Sequence, residues 1–308
     1  MIFTVTLNPA LDYFMEYHEL ENGLVNRTKL TRMTPGGKGI MESRMLSSLD
    51  VPNTALGFIG GFTGKFIRES LEQQGIKTDF TQVFGQTRIN VKIKTRSDET
   101  SLDAAGPDLT SEDVNNFLTK FDTLQEGDIV AFAGTVPKSL GENFYDLLIR
   151  LVKTRGAEFA IDIDGQKLLK TLLMKPLIIK PNVEELEEIF SVKFSKKDDI
   201  FPYGQKLLSM GAQNVIVSMA GDGALLFTKE KVYFAQPVKG IIKNSVGAGD
   251  STVAGFLAEW SQSHDVLTAF KQGVACGTAK VFSEDMPSAR FIQKCYEQIK
   301  IEEVSNGD

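Results

Sequence analysis

Cysteine is nearly missing from this chain, with only Cys276 and Cys295 in 308 residues. Two cysteines cannot form a disulfide framework for a protein of this size. Stability must come from a buried core, and a reducing, cytoplasmic setting is expected. Long apolar runs are missing too. The segments 129–133 and 176–179 are typical of the longest, whereas a bilayer span needs about 20 residues. The first eleven residues have neither a basic start nor a small-residue cleavage site, so no membrane or secretory role is read there. Positive charge is in deficit, with 34 Lys and Arg against 40 Asp and Glu. No run of lysines and arginines forms a basic face for nucleic acid. A small anionic substrate stays open, because a few placed cations and backbone N–H groups suffice to bind one. The composition that remains, 42% hydrophobic and 24% charged, is that of a soluble globular protein, most often an enzyme.

No internal repeat, low-complexity tract or linker divides the chain, so a single domain over 1–308 is expected. Short runs rich in Ile, Val, Leu and Phe at 2–7, 54–59, 128–133, 158–163, 177–179 and 214–218 read as buried strands. Helical patterns lie between them. One at 63–74 stops at Gly75, and another starts at Thr110 with Asp113 three residues on, a partial capping box. Strands alternating with helices predict a three-layer α/β/α sandwich with a mostly parallel central sheet. Two stretches break the rhythm, about 12–34 and 86–106, where apolar and polar residues alternate with no helix between. Ile89, Val91 and Ile93 then face one side and Asn90, Lys92 and Lys94 the other, predicting a small antiparallel β lid with one wet face.

Four segments carry candidate chemistry. Asn244 to Ser251 places Gly247, Ala248 and Gly249 where a helix opens, and Val253, Phe256, Leu257 and Trp260 give that helix a buried stripe. First-turn N–H groups bind anions, so Asp250 is out of place there unless it takes a proton from an attacking hydroxyl. A capped helix with an acidic first turn explains the same residues without chemistry. Gly36, Gly37 and Gly39 around Lys38 suit a close backbone approach to a polar ligand, or a structural turn. Asn182 and Glu185 follow a strand end, three apart on one helix face. They could hold a hydrated Mg²⁺ or form a plain N-terminal cap. The run 218–224, with Ser218, Gly221 and Gly223, fits a tight hairpin. A dinucleotide fingerprint fails because Thr252 stands where its third glycine belongs, and neither Lys38 nor Lys65 sits in a phosphate-binding loop pattern.

Taken in order, these segments resemble the PfkB family of ribokinase-like sugar kinases over nearly the whole chain. Segments 4–12, 57–64, 87–92 and 133–138 are similar to its 1-phosphofructokinase and tagatose-6-phosphate kinase branch, and 244–255 matches the family's C-terminal motif. The resemblance implies an ATP- and Mg²⁺-dependent kinase that turns a ketohexose monophosphate into the bisphosphate. Fructose 1-phosphate is the first expectation and tagatose 6-phosphate the second. It implies Asp250 as base, with Gly247, Ala248 and Gly249 as anion hole, and Asn182 with Glu185 organising Mg²⁺. Asp12, Gly36, Gly37 and Lys38 would hold sugar hydroxyls, while Arg88, Lys38 and Arg27 would hold the phosphate already present. Lys180, Ser218, Gly221, Gly223 and Asn244 would border ATP, and Gly273 the adenine. A homodimer paired through the lid sheet is the candidate assembly.

The chain departs from the family pattern on the sugar side. Met41 stands where asparagine is usual, Glu42 where a small apolar residue is usual, and Ser101 where this branch carries glutamate. Asp103 and Ala104 also diverge. A non-catalytic sugar-phosphate-binding protein on the same fold is the rival reading.

Overall fold

Every residue of 53–59 is buried, the mark of a strand covered on both faces. The computed structural model describes residues 1–141, 143–163 and 165–304, and there the expected alternation is realised. The first half runs β1 (Ile2–Thr6), β2 (Ala10–Glu16), β3 (Leu30–Gly36), α1 (Lys38–Ser48), β4 (Asn53–Ile59), α2 (Gly61–Gln73) and β5 (Lys77–Gln82). Next come β6 (Arg88–Lys94), β7 (Glu99–Asp103), α3 (Ser111–Leu118), β8 (Ile129–Ala133), α4 (Phe144–Thr154), β9 (Glu158–Asp162) and α5 (Gln166–Leu172). Then follow β10 (Ile178–Ile179), α6 (Val183–Phe190), α7 (Phe201–Ser209), β11 (Val215–Ser218), β12 (Ala224–Phe227) and β13 (Val232–Ala235). The last elements are α8 (Ala248–Ser263), α9 (Val266–Val281), α10 (Ala289–Gln298) and β14 (Ile301–Val304).

Ten of these strands form one sheet in the order β14-β13-β12-β11-β10-β9-β8-β1-β4-β5. It is parallel from β5 to β11 and antiparallel beyond. On one face Phe117, Phe132, Tyr145, Leu168, Leu186 and Leu207 pack α3 to α7 against it. On the other, Met45, Leu46, Phe256, Phe270 and Ile292 seat α1, α8, α9 and α10. Val253, Phe256 and Leu257 of the predicted α8 stripe are buried, and the partly buried ring of Trp260 stacks on Phe256 while its indole N–H donates to Glu158. Gly273 lets α9 close onto α8, since a Cβ there would lie 2.6 Å from the Thr252 carbonyl. The N-terminus of α3 carries the complete capping box of Thr110 and Asp113.

The smaller sheet has the order β3-β2-β6-β7. Its two hairpins are antiparallel, but their inner strands β2 and β6 run parallel, so the seam between them is parallel. The wet face is not the expected one. Asn90 is buried at 6% exposure, whereas Ile89 is 39%, Met33 52% and Leu102 55% exposed. The polar face turns inward because it closes over the end of the large sheet, where Asp12 is used. The apolar face is left outside.

Candidate active site

The parallel strands β1, β8, β9 and β10 end on one edge of the large sheet, beside the point where chain order reverses around β1. Such an edge is where open α/β sheets bind ligands. Two helix starts converge on it. Gly37 caps α1 with φ +121°, and a Cβ there would lie 2.6 Å from the Thr6 methyl, so glycine brings α1 against the end of β1. Lys38, the first residue of α1, reaches across to Asp162 at the end of β9, Nζ to Oδ1 3.3 Å. A Cβ on Gly36 would overlap the Asp12 carboxylate, which places Asp12 directly over this turn.

The second start is that of α8. Gly247 takes the left-handed conformation at φ +78°, and the N–H of Ala248 closes the turn onto the Ser245 carbonyl at 3.1 Å. The Ala248 N–H thereby donates within the turn, beside Gly247 and Gly249 of the predicted anion hole. The first-turn N–H groups of Gly249 and Asp250 point out of the helix end toward the strand edge. Lys180, at the end of β10, meets them: a Cβ on Gly249 would lie 2.7 Å from its Nζ. Met41 packs its terminal methyl against Gly247, 2.6 Å from the position of a Cβ. Asp250 curls its carboxylate back over the same glycine. Backbone N–H groups, an ammonium and a carboxylate thus share one corner.

The small sheet supplies the wall opposite. Asn90 donates its amide to Asp12 at 3.1 Å, and burial holds the Asp12 carboxyl above its ordinary value, with Lys92 and that amide opposing. Lys92 pairs with Asp103 at 3.0 Å and with the Ser101 hydroxyl. Arg88 donates to the backbone carbonyls of Asn8 at 3.2 Å and Ala104 at 3.1 Å. Its guanidinium is half-buried, which lowers its proton affinity, and Asp103 and Asp12 partly restore it. Arg27 is not brought here. It is exposed beyond the Glu16–Leu30 end of the β2–β3 hairpin, roughly 20 Å of strand from the Ala10–Gly36 end.

Asn182 caps α6, its Oδ1 accepting from the Glu185 N–H at 2.8 Å while Glu185 Oε2 accepts from the Asn182 N–H at 2.8 Å. The capping explanation therefore holds. Glu185 also lines a small cleft with Asp162 and Lys180, so its carboxylate is placed where it could meet a hydrated Mg²⁺ at the strand ends. Among the described residues no cluster of three or more His, Cys, Asp or Glu forms an all-protein metal cage. Ser218 pairs with Asn182 across the strand ends, and Gly223, at φ +95°, closes the predicted hairpin through its carbonyl to the Met219 N–H. Asn244 ties its loop to the end of α9 through the Glu284 carbonyl, 3.0 Å. Gly273 is buried between α8 and α9, where a Cβ would lie 2.6 Å from the Thr252 carbonyl.

The sequence reading missed Asp162, although an acid at the carboxyl end of a buried parallel strand was a visible signal. Comparison with known proteins agrees with the geometry: the model of the pfkB family carbohydrate kinases matches residues 5–287. The chain belongs to the pfkB family of carbohydrate kinases. It is 47% identical over 301 residues to the 1-phosphofructokinase of Bacillus subtilis, covering 98% of this chain and 99% of that one. A D-tagatose-1-phosphate kinase of Bacillus licheniformis is 34% identical over 302 residues, covering 98% and 99%. A solved structure from Staphylococcus aureus, assigned as a phosphofructokinase, superposes with TM-score 0.87 at 41% identity over 99% of both chains. The three-layer architecture with its small second sheet is the ribokinase-like fold of this family of sugar kinases.

Proposed function

We propose that this pfkB-family kinase transfers the γ-phosphoryl group of ATP to the C6 hydroxyl of fructose 1-phosphate. The observation that carries this reading is Asp250, a carboxylate in the first turn of α8 at an anion site shared with Lys180. A binding protein for phosphate has no use for a negative charge there. A kinase does, because the attacking hydroxyl must give up its proton. The sugar oxygen bonds to phosphorus, its proton passes to an Asp250 oxygen, and the bond from phosphorus to the ADP oxygen breaks. Charge on the moving group is met by the N–H groups of the α8 start and by Lys180, already in place.

Asp12, held by Asn90, faces sugar hydroxyls, and Lys38 with Arg88 faces the phosphate the sugar brings. Arginine suits that place because its fork grips a phosphate at two points. Asn182 and Glu185 would hold Mg²⁺ through its water shell, and the ion supplies neutralisation of the polyphosphate charge when bound. The small sheet acts as a lid that keeps water, the competing acceptor, from the phosphoryl group. Its outward face, with Met33, Ile89 and Leu102 exposed, is assigned to a second copy of the chain, since monomers rarely leave such a patch open. Sedimentation that shows only monomer at micromolar concentration would remove that assignment. Cys276 and Cys295 are buried thiols, in keeping with a reducing cytoplasm.

A second reading is D-tagatose 1-phosphate, favoured by the 34% identical relative and by Met41 in place of asparagine. It replaces tagatose 6-phosphate, the ester expected from the sequence, by the 1-phosphate ester. Fructose and tagatose differ only in configuration at C4, so one altered pocket residue can choose between them. An ADP-release assay with fructose 1-phosphate, fructose 6-phosphate, both tagatose esters and free fructose tests the proposal. The highest kcat/KM is expected for fructose 1-phosphate. ATP binding with no turnover on any sugar would return the chain to the sugar-phosphate-binding reading.

A further inference from the structure

One ionisable group behind this site has no part in the reaction so far. Glu42 lies on α1 one turn after Lys38 and next to Met41, and it is 1% exposed. Neither carboxyl oxygen has a hydrogen-bond partner among the described residues. The helix cannot roll to release it. On one side Ser43 is fixed to Thr4 at 2.6 Å, and beyond it Arg44 is fixed to Asp285 at 2.9 Å and to Gln74 at 3.0 Å. Among the described residues, Glu42 faces Lys38 from its own helix, Asp162 from β9, Lys180 from the end of β10 and Asp250 from α8. A further charge without hydrogen bonds in a dry site is strongly disfavoured. Burial, reinforced by Asp250 and Asp162 and only partly opposed by Lys38 and Lys180, holds the Glu42 proton well above the usual carboxylate range.

We infer that Glu42 is a positioning residue that serves the site as a neutral acid, and that its ionisation sets the alkaline limit of the enzyme by turning away both phosphorylated substrates. The charge it gains lies beside Asp250, where the γ-phosphate must settle, and it draws Lys38 and Lys180 away from phosphate. Both Michaelis constants therefore rise together, while kcat changes little. The inference rests on the kinase reading of Asp250, and its test separates the two.

Wild type and Glu42→Gln are compared between about pH 6 and 9 by kcat/KM for ATP and for fructose 1-phosphate. Titrations of the substrates and of every other group are common to both proteins, so the difference belongs to Glu42. The wild type should fall about tenfold per pH unit beyond the ionisation, and the glutamine variant should lack that limb. Infrared spectra at neutral pH should show a protonated carboxyl band in the wild type that the variant loses. ATP binding by calorimetry over the same pH range should weaken only in the wild type, a readout that survives even if no sugar is turned over. Superimposable pH profiles overturn the inference, as does a wild-type spectrum without the protonated band. Should Glu42→Gln fail to fold, Glu42→Val takes its place in all three measurements, and the band is assigned to Glu42 by its loss in that variant.

Discussion

Replacing Gly249 by alanine should make the protein more stable and less active, and the two effects come from different atoms. Gly249 is the second residue of α8, in ordinary helical conformation, so alanine gains about 0.5–1 kcal/mol from helix propensity alone. The added methyl would meet Lys180 Nζ at 2.7 Å and Cε at 3.1 Å. These atoms are the far end of a flexible chain, so the lysine swings aside and the backbone stays. The fold keeps its gain, and a melting temperature about 1–2 °C higher is expected. The site loses an ammonium from the place where the γ-phosphate lands. A charge-assisted hydrogen bond is worth about 1.5–3 kcal/mol, which is roughly a 10–150-fold loss in kcat/KM for ATP. The assay pairs a thermal melt with ATP kinetics at saturating fructose 1-phosphate. General damage would lower both quantities, so opposite signs are diagnostic. If the variant melts higher but keeps kcat/KM for ATP within about threefold of wild type, Lys180 is not at the phosphate and the corner has been misread.

Asp250→Asn should fold normally, because a carboxylate in a first helical turn contributes only about 0.3–1 kcal/mol, yet turnover should fall about 10²–10⁴-fold with ATP binding retained. Turnover within a few-fold of wild type would refute its role as base. Arg88→Ala should raise KM for fructose 1-phosphate about 10–150-fold with little change for ATP. Equal rises in both constants would show that its bonds to the Asn8 and Ala104 carbonyls are its whole purpose. Met41→Asn exchanges a thioether for an amide that can both donate to and accept from a sugar hydroxyl, and kcat/KM for a ketohexose 1-phosphate should rise about tenfold. A fall for both the fructose and the tagatose ester would show that the methionine pocket already fits its sugar.

How far the sequence carried depended on distance along the chain. The strands of the large sheet are written locally, as short runs buried on both faces, and five of the six predicted runs gave strands of four or more residues; the sixth gave the two-residue β10. Helix starts were legible for the same reason: the capping boxes of Thr110 with Asp113 and of Asn182 with Glu185 each span four residues. The parallel seam between β2 and β6 was not, since it joins hairpins far apart in sequence and local alternation cannot give its direction. Nor could alternation say which face of the small sheet would be wet. That depends on the edge it covers, which is a tertiary fact.

The same distinction runs through the site. In the proposed kinase, a transferring phosphoryl group would be met by backbone N–H groups at a helix start, which needs glycines at fixed spacing, and Gly247, Gly249 and Asp250 are a readable motif of that kind. The sugar would be met by side chains from β2, β6 and α1, each contributing one or two residues with no spacing in common. Asp12 and Asn90 meet only because the seam sets them opposite one another. Glu42 is an intermediate case. Its spacing of three and four from Met45 and Leu46 sets it on the buried face of α1. Asp162, Lys180 and Asp250, which it faces there, come from elements far apart in the chain, and no window of sequence contains that meeting. The acceptor half of the site is therefore the part that local sequence specifies least, and Met41 and Glu42, where the chain departs from the pattern it otherwise resembles, lie in it.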